Sequence, residues 1–384
     1  MSYLPPELWL EVLRWTTCTC CDWLYTTRYQ PFETTGGYEM LNQSLRMKAV
    51  VVRVCRQWRA LAVDMLYEDL RIRHGERTLA GVLESCKDRG RWVRRAELPY
   101  TSTVTTTADR PLPCIAILQR CPELEVLVRP APEPFDSLRF DFLAEGLSLT
   151  SLKRLEWWNI SEAARSGGIN SLDHVLSCTP NLQYLLVGGN LQIGQLQPSR
   201  SLDSLTTLRL RWMNYLFIRQ ICRWSLPALA HIIVDNSHSS SALEILWETF
   251  GSQIQIVEFG KHLRFYIEDH LTSVLRDCPM LQELNYYIHF TAPPRPPIVH
   301  PSLRSVRLHC QANYMVSELD WQRLSHHFSL FSGPSLPSLR RIILYGEWYT
   351  AVTGDRFARI HRALAARNCV LELPDGTVIH APAG

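Results

Sequence analysis

The first strongly apolar stretch of the chain is hydrophobic around most of a helical circumference. Its sequence, PELWLEVLRW (residues 6–15), carries polar side chains only at Glu7, Glu11 and Arg14, whose spacing of four and three makes one narrow polar stripe. A pair of prolines at its start suits the first turn of a helix. A helix of this kind is buried on most sides. Its own domain can cover one side, so we expect the other to meet a partner.

A second stretch, residues 45–66, also predicts a helix. Its apolar residues recur at intervals of four and three: Met47, Val51, Val54, Trp58, Leu61 and Met65. The stretch carries five basic residues and one acidic residue, which suits an acidic protein partner. A solvated basic face is the simpler interpretation for any single arginine. Residues 16–44, between the two stretches, show no sustained period and are interpreted as an insertion.

A different pattern of apolar residues extends from about residue 90 to the end. Three segments, LQRCPELEVL (118–127), LSCTPNLQYL (176–185) and LRDCPMLQEL (275–284), share a helix end, a cysteine, a proline and Leu-x-x-Leu. Weaker copies extend the series. Its leading apolar residues are Leu124, Leu152, Leu182, Leu205, Leu229, Ile254, Leu281, Leu303 and Leu339. Their mean spacing is about 27 residues, within the range of leucine-rich repeats.

Such a unit pairs a short strand with a helix and cannot bury its apolar face alone, so units stack. The pattern therefore predicts an α/β solenoid over residues 90–384, with parallel strands on a concave face and helices outside. The irregular spacing indicates divergent repeats, and the longest interval contains a helix pattern around Trp321, Leu324 and Phe328. A helix over 356–366, a strand over 369–373 and a turn predict a closing element. We expect outward strand residues to bind a target protein: Glu125, Arg154, Gln183, Thr207, Gln282 and Arg307.

The N-terminal motifs resemble a known family. The first is LPPEL (residues 4–8) followed by Val12-Leu13, and the second is VCRQWR (54–59) followed by Leu61-Ala62. Together they resemble an F-box, whose pattern is Leu-Pro-x-Glu-Leu, a helix, then Val-Cys/Ser-x-x-Trp. The likeness covers residues 3–70, ending in the apolar-aromatic stretch LYEDL (66–70). The insertion at about 16–44 departs from the family pattern.

The resemblance implies a three-helix module that docks on the Skp-type adaptor of a cullin–RING (SCF) ubiquitin ligase. The family's adaptor-contacting positions correspond here to Leu4, Pro5, Leu8, Val12, Leu13, Val54, Cys55 and Trp58. Some of these side chains must also form the module's own core. The sequence does not divide the two sets, although a core position is favoured for Trp58.

The composition limits the classes of protein to which this chain can belong. The chain has 384 residues, 46% hydrophobic and 20% charged, with a net charge of +3, as in ordinary globular proteins. No basic signal-peptide region and no apolar run of about 20 residues is present, so we expect an intracellular protein of the cytoplasm or nucleus, without a membrane partner. The basic cluster at 87–95 is diluted by acidic residues and accompanies no stacking motif, so we expect no nucleic-acid partner.

Candidate chemistry is sparse. Cys18, Cys20 and Cys21 lack the second ligand pair of a structural zinc site, and the repeat cysteines fit small buried side chains. No motif of a nucleotide-binding or hydrolytic enzyme is present. We therefore expect a non-catalytic chain without cofactors or metals.

Two functions remain from the sequence. The first is a substrate receptor for protein ubiquitination; the second is a repeat scaffold outside any ligase, whose helical module only caps the solenoid. The capping hypothesis requires Leu4, Leu8, Val12 and Cys55 to be buried against the repeats. A third class, an unfamiliar catalytic domain, would show a deep pocket with clustered titratable groups.

Overall fold

A computed structural model describes most of the chain. The described residues are 4–17, 26–33, 38–72, 77–85, 87–98, 114–130, 146–159, 171–191, 199–236, 240–261, 263, 269–294, 298–310 and 318–380. They form two compact units. Unit 1 comprises Met1–Leu205 and Ser225–Pro227, and unit 2 comprises Thr206–Trp224 and Ala228–Gly384.

Unit 1 begins with three helices: α1 (Pro6–Thr17), α2 (Tyr38–Val54) and α3 (Arg56–Tyr67). The stretch predicted as one helix over 45–66 therefore forms two. Cys55 breaks it with extended backbone, and its Sγ accepts the backbone N–H of Trp58 at 3.4 Å, which caps α3. The apolar period continues through the break, so periodicity alone did not reveal it. Helix α2 begins at Tyr38, within the stretch that was predicted to be an insertion.

The three helices share a small apolar core. It contains Leu13, Val51, Ala62 and Met65, with Leu10, Val52, Trp58 and Leu61 packed against it. The buried Lys48 ties α2 to the strand that follows α3, because its Nζ donates to Glu68 at 3.1 Å and to Asp69 at 3.0 Å. The helices are thus anchored to the sheet by a charged contact as well as by packing.

The sheet of unit 1 starts earlier than the sequence indicated. Its strands, parallel and in chain order, are β1 (Asp69–Arg71), β2 (Arg95–Glu97), β3 (Val126–Arg129), β4 (Arg154–Asn159) and β5 (Tyr184–Gly189). Interleaved with them are α4 (Arg77–Ser85), the 3₁₀ helix Lys87–Trp92, α5 (Cys114–Leu118) and α6 (Leu172–Ser177). Leu70 pairs with Ala96, so β1 is the first strand of this sheet.

Unit 2 also alternates parallel strands with helices. Its parallel strands are β6 (Thr207–Met213), β7 (His231–Val234), β8 (Ile256–Phe259), β9 (Glu283–Tyr287), β10 (Ser305–Cys310), β11 (Arg341–Gly346) and β12 (Val370–Glu372). Its helices are α7 (Tyr215–Ile221), α8 (Ser240–Phe250), α9 (His270–Asp277), α10 (Glu318–Ser332), α11 (Tyr349–Val352) and α12 (Asp355–Ala365). Short 3₁₀ helices span Gly251–Gln253 and Ile288–Phe290. The predicted helix in the longest interval is α10, and the predicted closing helix and strand are α12 and β12.

The strand register confirms the repeat pattern. All nine leading apolar residues named above are at most 1% exposed, and strands β3 to β11 each begin two residues after one of them. The repeated cysteines also point inward: Cys121 and Cys278 are buried, and burial raises the pKa of each thiol to about 12. Cys178 is half-buried. The predicted α/β class with parallel strands is therefore confirmed.

Candidate functional site

The outer side of α1 is an exposed apolar strip. Leu4, Leu8, Val12 and Trp15 are 44%, 50%, 44% and 79% exposed, and they follow one another at intervals of four, four and three. The opposite side of the helix is buried at Leu13 and Thr17. Helix α1 carries few polar residues because both of these sides are apolar: one packs inside the module and the other faces solvent.

A second apolar strip lies on α2 and the α2–α3 junction. Met47, Val50 and Val54 are 45%, 57% and 55% exposed, and the thiol-bearing Cys55 is also exposed. Because α2 packs against α1 and α3, the two strips belong to one helical module. We call these eight residues the apolar strips.

The module separates the predicted adaptor-contacting residues into two groups. Six are exposed: Leu4, Pro5, Leu8, Val12, Val54 and Cys55. Leu13, at 1% exposure, belongs to the core, so it is not available as a surface contact. Trp58 is half-buried and its ring lies 5.4 Å from that of Trp9, in keeping with the predicted core position.

Sequence reasoning missed three members of the strips. Trp15 continues the stripe of Leu8 and Val12 by three residues, so its spacing could have revealed it. Met47 belongs to the same predicted apolar stripe as Val51, and Val50 lies outside that stripe. The burial of Val51 sets the inward side of α2, which leaves Met47 and Val50 facing outward.

Exposed cations accompany the apolar strips. Arg46, Arg53, Arg56 and Arg59 on α2 and α3 are all exposed. Cations around an apolar contact area favour a partner that carries acidic residues, because complementary charge speeds association and aligns the two surfaces. The strips and these arginines lie on the same helical module.

The predicted target-binding residues do not all face solvent. Arg154 and Thr207 are fully buried, so they are not exposed as expected, whereas Glu125, Gln183, Gln282 and Arg307 are half-buried. In unit 2, Thr207 is hydrogen bonded to Nδ1 of His231 at 3.0 Å.

In unit 1, Arg154 is buried by a part of the predicted insertion. Its Nη1 donates to the carbonyl oxygen of Thr26 at 3.1 Å, and its Nη2 lies 2.5 Å from the Glu33 carboxylate. The same guanidinium pairs with Glu156 at 2.7 Å and lies 4.2 Å from the Tyr184 ring centre. Burial works to lower the pKa of Arg154, but Glu156, Tyr184 and Glu33 together raise it. Neither Glu33 nor Tyr184 carried a sequence signal for this role.

Unit 2 has a row of paired polar side chains on its strands. Arg209 makes a bidentate pair with Asp235 at 2.8 and 2.9 Å. Arg307 pairs with Glu283 at 2.8 Å and donates to the Tyr345 hydroxyl at 3.1 Å. These contacts join groups of neighbouring repeat units through ion pairs.

A cavity of about 480 Å³ lies between α10 and α12. Its lining residues are Glu318, Trp321, Gln322, Ser325, His326, Arg356, Arg359 and Ile360. Arg356 pairs with Glu318 at 2.7 Å, and none of the lining side chains is buried. This cavity therefore lacks the buried titratable groups expected of a catalytic site.

The candidate zinc ligands Cys18, Cys20 and Cys21 lie outside the described residues. Within the described part of the chain, no helix is long and apolar enough to cross a bilayer. Neither a scan against models of protein families nor a search of curated proteins finds a match to this chain. The likeness to F-box proteins therefore rests on the motif residues and on where they lie.

Proposed function

We propose that this chain is the substrate receptor of an SCF-type ubiquitin ligase. Helices α1 to α3 dock the Skp-type adaptor, and the repeat region holds a target protein for ubiquitination. The observation that carries the proposal is the exposure of Leu4, Leu8 and Val12 on α1, at the positions of the F-box-like motif. Monomeric proteins rarely leave contiguous apolar surface open unless it meets a partner.

The alternative of a helical cap on a scaffold is less well supported. That hypothesis needs Leu4, Leu8, Val12 and Cys55 to be buried against the repeats, and all four are exposed. The module is joined to the sheet through Lys48, Glu68 and Asp69, which leaves the apolar strips free for a second protein.

The mechanism is proximity, and the chain supplies no catalytic group. A target held on the repeat region has its lysines kept near the conjugating enzyme, so transfer becomes effectively intramolecular. The finer architecture, with strands on a concave face and helices outside, suits this role because a curved row of strands offers a broad contact surface. A ligase of this type acts inside the cell, in the cytoplasm or the nucleus.

The proposal is tested by calorimetric titration of the purified chain with a Skp-type adaptor. Leu8→Ala and Val12→Ala together remove five carbon atoms from side chains that are about half exposed. If binding buries that remaining half, the double variant loses about 2 kcal/mol of binding free energy, or roughly 30-fold in affinity.

The matched control is Arg14→Gln, which changes an exposed α1 residue outside the apolar strip. It is expected to bind the adaptor with an affinity within about twofold of wild type, because surface charges contribute little individually. Absence of binding by the wild-type chain, or equal binding by the double variant, would contradict the proposal.

A further inference from the structure

Residues 26–33 lie on the sheet of unit 1 as a segment without regular structure, with a bend at Arg28 and a turn at Pro31 and Phe32. They belong to the region between α1 and α2. Their contacts with the sheet fall on β4 and β5, which are 121 to 151 residues away in sequence. Phe32 and Glu33, at the end of the segment, are both buried. The segment therefore covers a surface from which the target-binding residue Arg154 was expected to point outward.

The contacts resemble those between a receptor and a bound acidic peptide. The Glu33 carboxylate reaches Arg154 Nη2 at 2.5 Å, and its second oxygen accepts from the Tyr184 hydroxyl at 3.5 Å. The Arg154 guanidinium also donates to the main-chain oxygen of Thr26. One charged side chain of the sheet thus binds both a carboxylate and the backbone of the segment, as arginines do when they recognise acidic peptides.

The receiving site does not depend on Glu33 for its own charge balance. Arg154 Nε donates to Glu156 at 2.9 Å, and the guanidinium lies over the Tyr184 ring. Glu156 and Tyr184 are both on the sheet, so they stay with Arg154 if the segment leaves. A buried cation that keeps one carboxylate avoids the large penalty of an unpaired buried charge.

The segment itself carries a conformational cost. Phe32 has φ of 56°, in the left-handed region that bulky residues rarely adopt. Such backbone persists only when its surroundings enforce it. Here the enforcing contacts are the burial of Phe32 and the ion pair of the next residue, Glu33. Strained backbone in the segment favours its release once another chain supplies the contacts that Glu33 makes.

We propose that Arg154 and Tyr184 form a recognition site for an acidic peptide and that residues 26–33 occupy it as an intramolecular ligand. The external ligand is a segment of the target protein in which an aromatic residue precedes a glutamate or aspartate, as Phe32 precedes Glu33. This inference rests on the proposed function, because the target supplies that segment. Tethering gives residues 26–33 a high effective concentration, so the target must compete with them.

The test uses the full chain with residues 26–33 replaced by eight Gly and Ser residues. A fluorescent peptide of sequence TTRYQPFE, copied from residues 26–33, is titrated into this variant and into the wild-type chain, and its anisotropy is measured. We expect the replaced chain to bind the peptide and the wild-type chain to bind it at least tenfold more weakly, since its own segment competes. A peptide ending in Gln is expected to bind the replaced chain at least tenfold more weakly than the glutamate peptide.

Equal binding of the two peptides to a folded replaced chain would overturn the proposal, as would failure of that chain to bind either peptide. Adaptor binding by the same variant is measured separately. Helices α1 to α3 are unchanged in this variant. Failure to bind the adaptor would therefore count against the proposed ligase role, whereas failure to bind the peptide would count against the peptide site alone.

A second measurement covers the case in which the replaced chain does not fold. In the otherwise intact chain, Glu33→Gln is expected to speed amide hydrogen exchange in residues 26–33 about tenfold and to leave exchange in β4 and β5 unchanged. Arg28→Gln, an exposed position in the same segment, is the matched control and should change neither. If Glu33→Gln speeds exchange in the strands as much as in the segment, or in neither, the segment is a fixed part of the core and the proposal is wrong.

Discussion

The histidine His327 on α10 makes unit 2 sensitive to acid. Its side chain is fully buried, and both ring nitrogens have partners: Nδ1 lies 2.9 Å from the Tyr286 hydroxyl, and Nε2 lies 2.9 Å from the carbonyl oxygen of Thr291. Because a carbonyl oxygen only accepts, Nε2 carries the hydrogen, and in the neutral ring Nδ1 accepts from the tyrosine hydroxyl. Both contacts are therefore satisfied by the neutral ring.

Burial lowers the pKa of His327 from 6.5 to about 4, although the hydrogen bond to Thr291 acts in the opposite direction. The unfolded chain takes up the proton at its ordinary pKa, so acid favours unfolding. The stability that the neutral ring contributes is fully present above about pH 6.5 and is lost as the pH falls toward 4. Linkage gives a loss of about 2 kcal/mol by pH 5.

The assay compares the wild-type chain with His327→Gln by urea denaturation between pH 7.5 and pH 5. Circular dichroism follows the whole chain, and hydrogen exchange in residues 283–287 reports on unit 2. The variant lacks the titrating ring, so its stability deficit relative to wild type should shrink by about 2 kcal/mol toward pH 5. The exposed neighbour provides the control, since His326→Gln should follow the wild-type curve throughout. A deficit that stays constant within about 0.5 kcal/mol would refute a buried neutral His327.

Three further predictions concern stability measured by urea or thermal denaturation. Leu13→Ala should lower the free energy of unfolding by about 2–5 kcal/mol, and Leu8→Ala on the same helix should lower it by only about 1 kcal/mol, because half of that side chain is already exposed; equal losses would contradict an α1 with one buried and one exposed side. Lys48→Met should cost about 3–5 kcal/mol by leaving the buried Asp69 carboxylate without its cation, and adding Asp69→Asn should recover most of it. Burial lowers the pKa of Lys48, but the neighbouring carboxylates raise it further, so this contribution is fully present below about pH 10.5 and is lost as the pH rises above that value. Gly189→Ala should cost about 2–5 kcal/mol, because φ is 108° there and the new Cβ would lie 2.0 Å from a carbonyl oxygen of the neighbouring strand; a neutral effect would show that β4 and β5 are further apart.

The repeat pattern could be read from the sequence because it is local. Each unit needs a buried lead such as Leu152 two residues before its strand, and every predicted lead occupies that position. In each unit one apolar side chain must be buried, and the side chains of the short strand alternate between its two faces. Both requirements act over a few residues, so they leave a periodic signal in the sequence. The exposed side of α1 was predictable for the same reason, as its single polar stripe left more apolar surface than its own module could cover.

Other features depended on contacts between distant residues. The break at Cys55 interrupts no apolar period, and the inward side of α2 is decided by Val51 packing against other helices. The strand β1 continues the sheet because it pairs with β2, so its role could not be assigned from the short sequence that resembles the end of an F-box.

The helical period, the repeat spacing and the parallel α/β class were determined by the sequence alone, since each follows from where apolar residues recur along the chain. Which surfaces stay open was decided by the tertiary structure. Arg154 has the sequence position of an exposed strand residue, yet Glu33, 121 residues earlier, covers it. Such a contact leaves no periodic trace, because its free energy comes from charge and burial brought together only when the chain is folded.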